Sequence, residues 1–304
     1  MERITKEKIQ AWLPPREPDA HKGNFGRVLM IAGSRGMMGA CVLACRAAFR
    51  TGSGLVAACC DPQLFSDVHA GVPEATCVSR EGFDAAKYDA VAIGPGFGVS
   101  RENYDLICSV LKAYEGPVVL DADALNCLSQ YGLPAEEGRK ASLVVTPHAG
   151  EAAKLANAMG VFQPGALQAC DIARQREMFG KGLAEHLQAV TVMKGAGSLV
   201  CCPDGSVYEN TTGNAGMATG GSGDVLTGMT VSLAGQMAAH GIPPAEAAKR
   251  AAVCGVYLHG FAGDLAAKAW GEAGLMARDL ADFAALAIKN TAKAVPDEVY
   301  IDKK

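Results

Sequence analysis

The chain lacks both an excess of charge and a long apolar run. Its 28 basic and 32 acidic residues leave a formal net charge of −4, so no strong field attracts nucleic acid or an anionic membrane surface. No stretch of about 18 apolar residues is present, which argues against a membrane-spanning helix. The N-terminal segment MERITKEKIQAWLPPR is too charged for a signal peptide. We therefore expect a cytoplasmic globular protein that binds neither nucleic acid nor membranes.

Metal-binding and redox cysteine motifs are also missing. The 11 cysteines include no CxxC pair, which argues against a zinc site or a thiol-redox site. Several lie in apolar or alanine-rich segments, as Cys41, Cys45 and Cys59 do, where cysteine behaves as a small hydrophobic residue. We expect free thiols in a reducing compartment.

Two common nucleotide-binding motifs are absent as well. The chain has no GxxxxGK[ST] sequence and no GxGxxG loop followed by the expected acidic residue, so the P-loop and Rossmann interpretations are disfavoured. Glycine, by contrast, is abundant. The 36 glycines make up roughly 12% of the chain, against about 7% in average proteins, and they cluster beside apolar runs. Loops of this kind let the backbone approach a ligand closely.

Strand-like apolar runs alternate with helix-like segments along most of the chain. Residues 39–50 are helix-like, and the chain is mostly helical from Asp224 to about residue 287, with an interruption at 241–244. The strand-like segments, most of which run on into a loop, are 28–33, 55–60, 90–98, 117–125, 142–151, 189–197 and 198–205. This alternation predicts an α/β fold with a central, mainly parallel sheet and helices on both faces.

The same pass along the chain gives a simple domain organisation. We predict a polar N-terminal arm over 1–20, a single domain over 21–290 and a C-terminal tail over 291–304, because no linker or repeat interrupts the central part. In sheets of this type, ligands bind at the carboxyl ends of the strands. The glycine, aspartate and histidine loops all follow predicted strands, so we expect them to meet at one edge.

The most informative motif is Gly220-Gly221-Ser222-Gly223-Asp224, which precedes an apolar helix-like run. Glycines in such a loop allow several backbone N–H groups to surround one anion, and the helix N-terminus adds positive potential. An aspartate beside an anion site is useful if it accepts a proton from an attacking hydroxyl group. The alternative is an aspartate that merely caps the helix. The motif alone leaves these two interpretations open.

Three further loops carry polar residues after strands. Lys194 to Ser198 suits a nucleotide phosphate or ribose, or is a β-turn with a solvated lysine. His148 and Glu151 lie three residues apart at a predicted helix start. They either line a polar site that organises hydrated Mg²⁺ or form a capping box. Asp121 and Asp123 can reach a ligand or a metal, or cap the next helix.

Taken together and in this order, the motifs resemble a known family. The quoted segments are His21-Lys22-Gly23, residues 28–34 with Gly39-Ala40, GPGFG, LDADALN, TPHAGE, MKGAGS, GMATGGSGDVLTG and the run from Tyr257 to Asp264. They are similar to the ADP/ATP-dependent NAD(P)H-hydrate dehydratases, a family of the ribokinase-like superfamily. The resemblance covers about residues 20–285 and implies a ribokinase-like fold.

The resemblance also implies roles for individual residues. It implies Asp224 as the catalytic base and Gly221, Ser222 and Gly223 as the anion hole. The nucleotide-binding residues it implies are Lys194, Gly195, Ala196, Gly197, Ser198 and Gly223. The residues it implies for the hydrated dinucleotide are Ala40, Gly96, His148 and Asp224. Glu151 would support Mg²⁺ through water, and a homotetramer is implied.

The expected reaction repairs a damaged cofactor. The S epimer of NADHX or NADPHX carries a hydroxyl group at C6 of the nicotinamide ring, and phosphorylation by ADP or ATP turns that group into a good leaving group. The epimerase domain that often accompanies this family is missing from the sequence, so a separate epimerase is expected as a partner. One alternative is a ribokinase-like kinase for a vitamin alcohol such as hydroxyethylthiazole. A more distant one is a non-catalytic nucleotide sensor.

Overall fold

A ten-stranded sheet forms the centre of the protein. The structure is a computed structural model that describes residues 1–132, 138–160 and 166–292. The strands are β1 Glu2–Arg3, β2 Arg27–Ile31, β3 Leu55–Cys60, β4 Thr76–Ser79, β5 Ala90–Ile93, β6 Pro117–Leu120, β7 Ser142–Val145, β8 Ala189–Met193, β9 Leu199–Cys201 and β10 Val207–Glu209. Their order across the sheet is β1-β10-β9-β8-β7-β6-β5-β2-β3-β4.

Eleven α-helices accompany the sheet in the described ranges. They are α1 Lys6–Trp12, α2 Met38–Thr51, α3 Phe65–Gly71, α4 Arg101–Ala113, α5 Asp123–Tyr131, α6 Ala149–Met159, α7 Ala169–Arg174, α8 Arg176–Leu187, α9 Ser222–Ala239, α10 Pro244–Trp270 and α11 Ala277–Thr291. Within the same ranges, none of the helices combines the length and the apolar character that crossing a bilayer requires.

Side chains of the central strands alternate between two hydrophobic cores. Val28 and Met30 of β2 pack into the core that contains α1, α2, α9, α10 and α11. Leu29 and Ile31 pack into the opposite core with α4, α5, α6 and α8. Because successive strand residues point to opposite faces, a strand covered on both sides reads as a continuous apolar run. The predicted fold class, with helices on both faces, is confirmed.

The strand directions explain where the motif loops gather. All neighbouring pairs are parallel except β8 with β9 and β9 with β10. The strands β8, β7, β6, β5 and β2 are therefore five parallel neighbours whose carboxyl ends share one edge. The loops that begin at Gly33, Gly94, Asp121, Thr146 and Lys194 leave from that edge.

The first twelve residues differ from the polar arm expected over 1–20. β1 pairs in parallel with β10, and Ile4 donates its N–H to the Glu209 carbonyl at 2.9 Å. Ile4 and Ile9 are fully buried in the first core. Two isoleucines spaced among lysines and glutamates give a weak apolar pattern, so their burial depends on the partner surface rather than on the local sequence. The sheet thus extends to residue 2, beyond the expected domain start at 21.

The chain from Asp224 onward follows the predicted helical pattern with one added break. α9 ends before the interruption at 241–244 and α10 begins at Pro244, where proline suits the first helical turn. A second break, between Trp270 and Ala277, was not predicted. α11 ends at Thr291, and most of the tail predicted over 291–304 lies outside the described residues.

Candidate active site

The loops after β2, β5 and β6 are packed tightly against one another. A Cβ atom added to Gly94 would lie 1.7 Å from the Asp121 carbonyl oxygen, and one added to Gly96 would lie 3.2 Å from the Ala40 Cβ. Side chains at either glycine would force these loops apart. Ala40 and Gly96, which the family resemblance assigns to the hydrated dinucleotide, are therefore adjacent in space.

Asp224 lies in the first turn of α9, but it is not the capping residue. The N-cap is Gly221, with φ of +92°, and no side chain caps the helix. The helix-capping interpretation of Asp224 is therefore wrong. Burial raises the pKa of the Asp224 carboxyl group to about 7, with a further contribution from Asp121, while Lys194 acts in the opposite direction. The helix N-terminus favours the charged form, yet burial and the neighbouring carboxylates outweigh it.

Lys194 is held at the same edge by two buried carboxylates. Its Nζ lies 2.7 Å from Asp121 Oδ1 and 3.6 Å from Glu151 Oε2. The second oxygen of Asp121 accepts a hydrogen bond from Thr227 Oγ1 of α9 at 2.7 Å. Burial opposes the positive charge of Lys194, but Asp121 and Glu151 outweigh it and raise its pKa. The ammonium group is thus fixed as a cation next to the start of α9.

The turn between Asp121 and Asp123 is strained. Ala122 has φ of +49° and ψ of −117°, a combination that costs a non-glycine residue of the order of 1–3 kcal/mol. With this backbone conformation, the carboxylates on either side of Ala122 bind different partners. Asp121 faces Lys194, whereas Asp123 Oδ2 accepts the Gly98 N–H at 2.8 Å and fixes the GPGFG loop.

His148 and Glu151 form the capping box of α6. His148 Nδ1 accepts from the Gly150 and Glu151 N–H groups at 3.0 and 3.3 Å, and Glu151 Oε2 accepts from the His148 N–H at 2.8 Å. The His148 side chain is 60% exposed, whereas that of Glu151 is 6% exposed. Across the described ranges, no group of three or more potential ligands is arranged to hold a metal. The role of Glu151 in supporting Mg²⁺ stays a prediction.

A cavity of about 570 Å³ opens beside Lys194. Its walls come from the loop after β8, the segment between β10 and α9, the start of α9 and the middle of α10. The lining includes Lys194, Gly195, Ala196, Gly197, Ser198, Asn210, Thr212, Ser222, Gly223 and His259. The predicted nucleotide loop and part of the predicted anion hole thus face one space, and Asp224 follows directly on Gly223. Ala40, Gly96 and His148 do not line this cavity.

Comparison with known proteins decides the family. Residues 28–285 match the sequence profile of the NAD(P)H-hydrate dehydratases. The chain belongs to the NAD(P)H-hydrate dehydratase family. It is 34% identical to the ADP-dependent (S)-NAD(P)H-hydrate dehydratase of Bacillus subtilis over 91% of this chain and 94% of that one. The crystal structure of the B. subtilis ADP/ATP-dependent enzyme, obtained with ATP and Mg²⁺, superposes with a TM-score of 0.80 at 30% identity, over 95% of this chain and 98% of that one.

Several relatives in the family are longer than this chain. The chain is 40% identical to the bifunctional NAD(P)H-hydrate repair enzyme of Moorella thermoacetica, a match that covers 96% of this chain but 54% of that protein. The chain therefore spans about half the length of the first curated relatives it matches. The family resemblance deduced from the motifs is confirmed.

The sequence did not predict that the segment between β10 and α9 forms part of the cavity wall. Thr212 Oγ1 donates to the Tyr257 carbonyl at 2.7 Å, and Asp264 accepts from the Gly213 N–H at 2.9 Å and from Asn214 Nδ2 at 3.0 Å. These bonds fasten the segment between β10 and α9 to α10. The segment is rich in asparagine, threonine and glycine, and this composition is the one sequence feature that could have indicated a ligand-binding loop. The run that contains Tyr257 and Asp264 was noted only as part of the family pattern.

Proposed function

We propose that the protein dehydrates the S epimer of NAD(P)H hydrate, regenerating NADH or NADPH, with ADP as phosphoryl donor and ATP as the alternative donor. The observation that carries the proposal is Asp224, a partly buried carboxylate with pKa near 7 beside both a fixed lysine and a nucleotide-sized cavity. A carboxylate of that pKa is suited to general-base catalysis at neutral pH. The activities named for the B. subtilis relatives support the same reaction.

The proposed first step is a phosphoryl transfer. Asp224 takes the proton of the C6 hydroxyl group, whose oxygen attacks the terminal phosphorus of the nucleotide. The bond from that phosphorus to the bridging oxygen breaks, and AMP leaves from ADP, or ADP from ATP. The amides at the start of α9 stabilise the charge on the transferring group, as does the positive end of that helix.

The second step is an elimination from the phosphorylated hydrate. The ring-nitrogen electron pair displaces phosphate as the C6–O bond breaks, and loss of a C5 proton restores the C5–C6 double bond. The products are NAD(P)H, phosphate and the shortened nucleotide. The phosphate is a far better leaving group than hydroxide, which explains why a nucleotide is consumed in a dehydration.

Lys194 and Glu151 suit a magnesium nucleotide. Mg²⁺ in such sites is held by substrate phosphates, water and one or two carboxylates, and it neutralises charge on the phosphates. Both Glu151 oxygens already face His148, and Oε2 also faces Lys194, which agrees with contact through water. Lys194 supplies a further positive charge that would orient the terminal phosphate.

The two ligands are proposed to occupy different parts of the edge. ADP fills the cavity and contacts Lys194 to Ser198 and Gly223. The hydrate contacts Ala40, Gly96, His148 and Asp224. Its hydroxyl group then meets the terminal phosphate next to Asp224, where the cavity ends.

The cellular setting is proposed on indirect grounds. All eleven cysteines are free, which suits the reducing cytoplasm. The longer relatives are bifunctional repair enzymes, and a separate NAD(P)H-hydrate epimerase is the proposed partner here. We further propose a homotetramer, which light scattering on the purified protein would test.

The experiment uses the purified protein with NADPH hydrate, Mg²⁺ and either ADP or ATP. We expect absorbance of the reduced nicotinamide ring to recover in a nucleotide-dependent way. Replacement of Asp224 by asparagine keeps the shape and removes the base, so turnover should fall on the order of 10²–10⁴-fold. Nucleotide affinity, measured by calorimetry on the same variant, should be unchanged or slightly higher because a negative charge is lost.

Three results would contradict the proposal. Accumulation of a stable phosphorylated product without recovery of NADPH would indicate a kinase. Near-normal recovery by Asp224→Asn would remove the base from the mechanism. A protein that binds ADP but turns over neither nucleotide nor hydrate would be a sensor.

A further inference from the structure

His259 is a buried histidine in the cavity wall that the proposed reaction does not yet use. It lies in the middle of α10, is 9% exposed and lines the cavity together with Ser222 and Gly223. Its Nε2 lies 3.4 Å from Ser222 Oγ. Ser222 therefore interacts with this imidazole through its hydroxyl group and through its backbone.

We propose that His259 is a positioning residue that donates a hydrogen bond from Nε2 to Ser222 Oγ, so that the Ser222 hydroxyl proton is free to point at the transferring phosphate. The inference rests on the proposed function, because it assigns an additional donor to the same anion hole. It commits to one tautomer of the imidazole, with Nε2 protonated.

The direction of this hydrogen bond follows from what the serine must face. A hydroxyl group that donated to His259 would turn its lone pairs toward an anion, which is repulsive. A hydroxyl group that accepts from His259 keeps its only proton for the phosphate, which is attractive. Polarisation by the accepted hydrogen bond also strengthens the serine as a donor.

The imidazole of His259 is neutral at neutral pH. Burial lowers the pKa of His259 to about 4. A hydrogen bond with the Ser222 backbone raises this pKa and the nearby cation Lys194 lowers it, but burial has the largest effect. A neutral ring has one N–H and one acceptor nitrogen, so it can donate to Ser222 without placing a second full charge in the cavity wall. The arrangement therefore holds across the neutral pH range.

The backbone around His259 is fixed by close contacts. A Cβ atom added to Gly260 would lie 2.3 Å from Thr212 Oγ1, and one added to Gly255 would lie 2.7 Å from Thr230 Oγ1. The helix thus lies directly against α9 on one side and against the β10–α9 segment on the other. Because the helix already fixes the position of the ring, the ring can orient a hydroxyl group with little further loss of conformational entropy.

The kinetic test is a double-mutant cycle between His259 and Ser222. His259→Leu removes the donor but keeps an apolar side chain of similar bulk, and His259→Gln retains an N–H near the Nε2 position. We expect His259→Leu to lower kcat about ten- to a hundredfold, with less change in the KM for ADP, and His259→Gln to recover part of the loss. In a Ser222→Ala background, His259→Leu should cost less than about twofold more, since coupled residues are not additive.

A loss from His259→Leu that persists in full in the Ser222→Ala background would overturn the proposal, as would unchanged kcat in His259→Leu. A spectroscopic test does not depend on activity. In ¹⁵N-histidine-labelled wild-type protein at pH 6–8, we expect a neutral His259 ring protonated at Nε2, and the Nε2 signal should shift in Ser222→Ala. A ring protonated at Nδ1 would refute the inference even if the protein regenerates NADPH. Absence of NADPH regeneration with the expected tautomer would instead count against the proposed function alone.

Discussion

Asp224 combines two opposing electrostatic influences at a single residue. It stands in the first turn of α9, where backbone N–H groups favour a carboxylate. Burial and the neighbouring Asp121 disfavour the charge and raise the pKa to about 7. The result is a carboxylate that is poised to gain or lose a proton near neutrality, as a general base requires.

The raised pKa of Asp224 predicts the pH dependence of the reaction. The base must be ionised to accept the hydroxyl proton, so kcat/KM should fall as the pH drops below about 7, by up to tenfold for each pH unit. The measurement is NADPH recovery from pH 5.5 to 9, with ADP affinity followed by calorimetry over the same range. Residual activity of Asp224→Asn should lack this acidic limb. An acidic limb shared by wild type and variant would indicate titration of the nucleotide instead.

The same residue is predicted to destabilise the fold at alkaline pH. The pKa of Asp224 is raised in the folded state, so the folded protein retains a proton that the unfolded chain releases. The associated stability is complete below pH 4 and is lost as the pH rises toward 7. The free energy of unfolding of Asp224→Asn should therefore be about 4 kcal/mol higher than that of wild type at pH 8 and nearly the same as wild type at pH 4.

Urea unfolding at the two pH values measures this effect. Asp19→Asn is the matched control, because Asp19 is exposed and lies outside regular secondary structure. The control should match wild type at both pH values. Equal stability of Asp224→Asn and wild type at pH 8 would show that the buried charge carries no penalty.

The loop after β8 supplies one wall of the cavity. Gly197 lines that wall with φ of +59°. Valine at this position should project into the space proposed for the nucleotide and strain the loop. We expect Gly197→Val to raise the Kd for ADP at least tenfold, or about 1.4 kcal/mol, and to change the KM for the hydrate less than threefold.

Gly205 provides a matched control for the backbone strain. It also has positive φ, at +81°, but it occupies the turn between β9 and β10, with no atom within 4 Å of an added Cβ. Gly205→Val should therefore leave ADP binding unchanged. Equal losses of ADP and hydrate binding in Gly197→Val would mean that the loop is structural rather than a nucleotide contact.

Elements with long apolar runs were predictable from the sequence, and short ones were not. The runs at 55–60 and 189–193 are strands because both faces are buried, which composition alone reveals. β1 and β10 contain two and three residues, too few for a periodic pattern. They form because β10 pairs with β9 and β1 then pairs with β10 at the edge of the sheet.

Some residues of the candidate site were likewise predictable from the sequence, and others were not. Glycine and aspartate loops at strand ends were predictable, because the carboxyl ends of parallel strands share an edge. His259 belongs to the run from Tyr257 to Asp264 that contributes to the family resemblance, but no local pattern links it to Ser222, which is 37 residues away in the chain. The packing of α10 against α9 brings them together, and that contact is a property of the tertiary fold.

The order of the strands in the sheet separates the two groups of predicted ligand contacts. The nucleotide loop follows β8, whereas the loops with Gly33 and Gly96 follow β2 and β5, three and more strands away. Asp121, at the end of β6, lies between them and contacts Lys194. The protein is therefore expected to bind ADP and the dinucleotide at the same time, with the reacting groups meeting near Asp224.

Simultaneous binding predicts additive stabilisation by ADP and the product NADPH. A ligand at 100 times its Kd stabilises the folded state by about 2.7 kcal/mol, which raises the Tm of a protein of this size by roughly 5 °C. With Mg²⁺ present, the two ligands together should give about the sum of their separate shifts in differential scanning calorimetry. Gly197→Val should lose at least half of the ADP shift, because a tenfold higher Kd lowers the stabilisation to about 1.4 kcal/mol, and it should retain the NADPH shift, because Gly197 lines the cavity proposed for ADP. A combined shift no larger than the greater single shift would mean that both ligands compete for one pocket, and the proposed meeting of hydroxyl group and terminal phosphate beside Asp224 would fail.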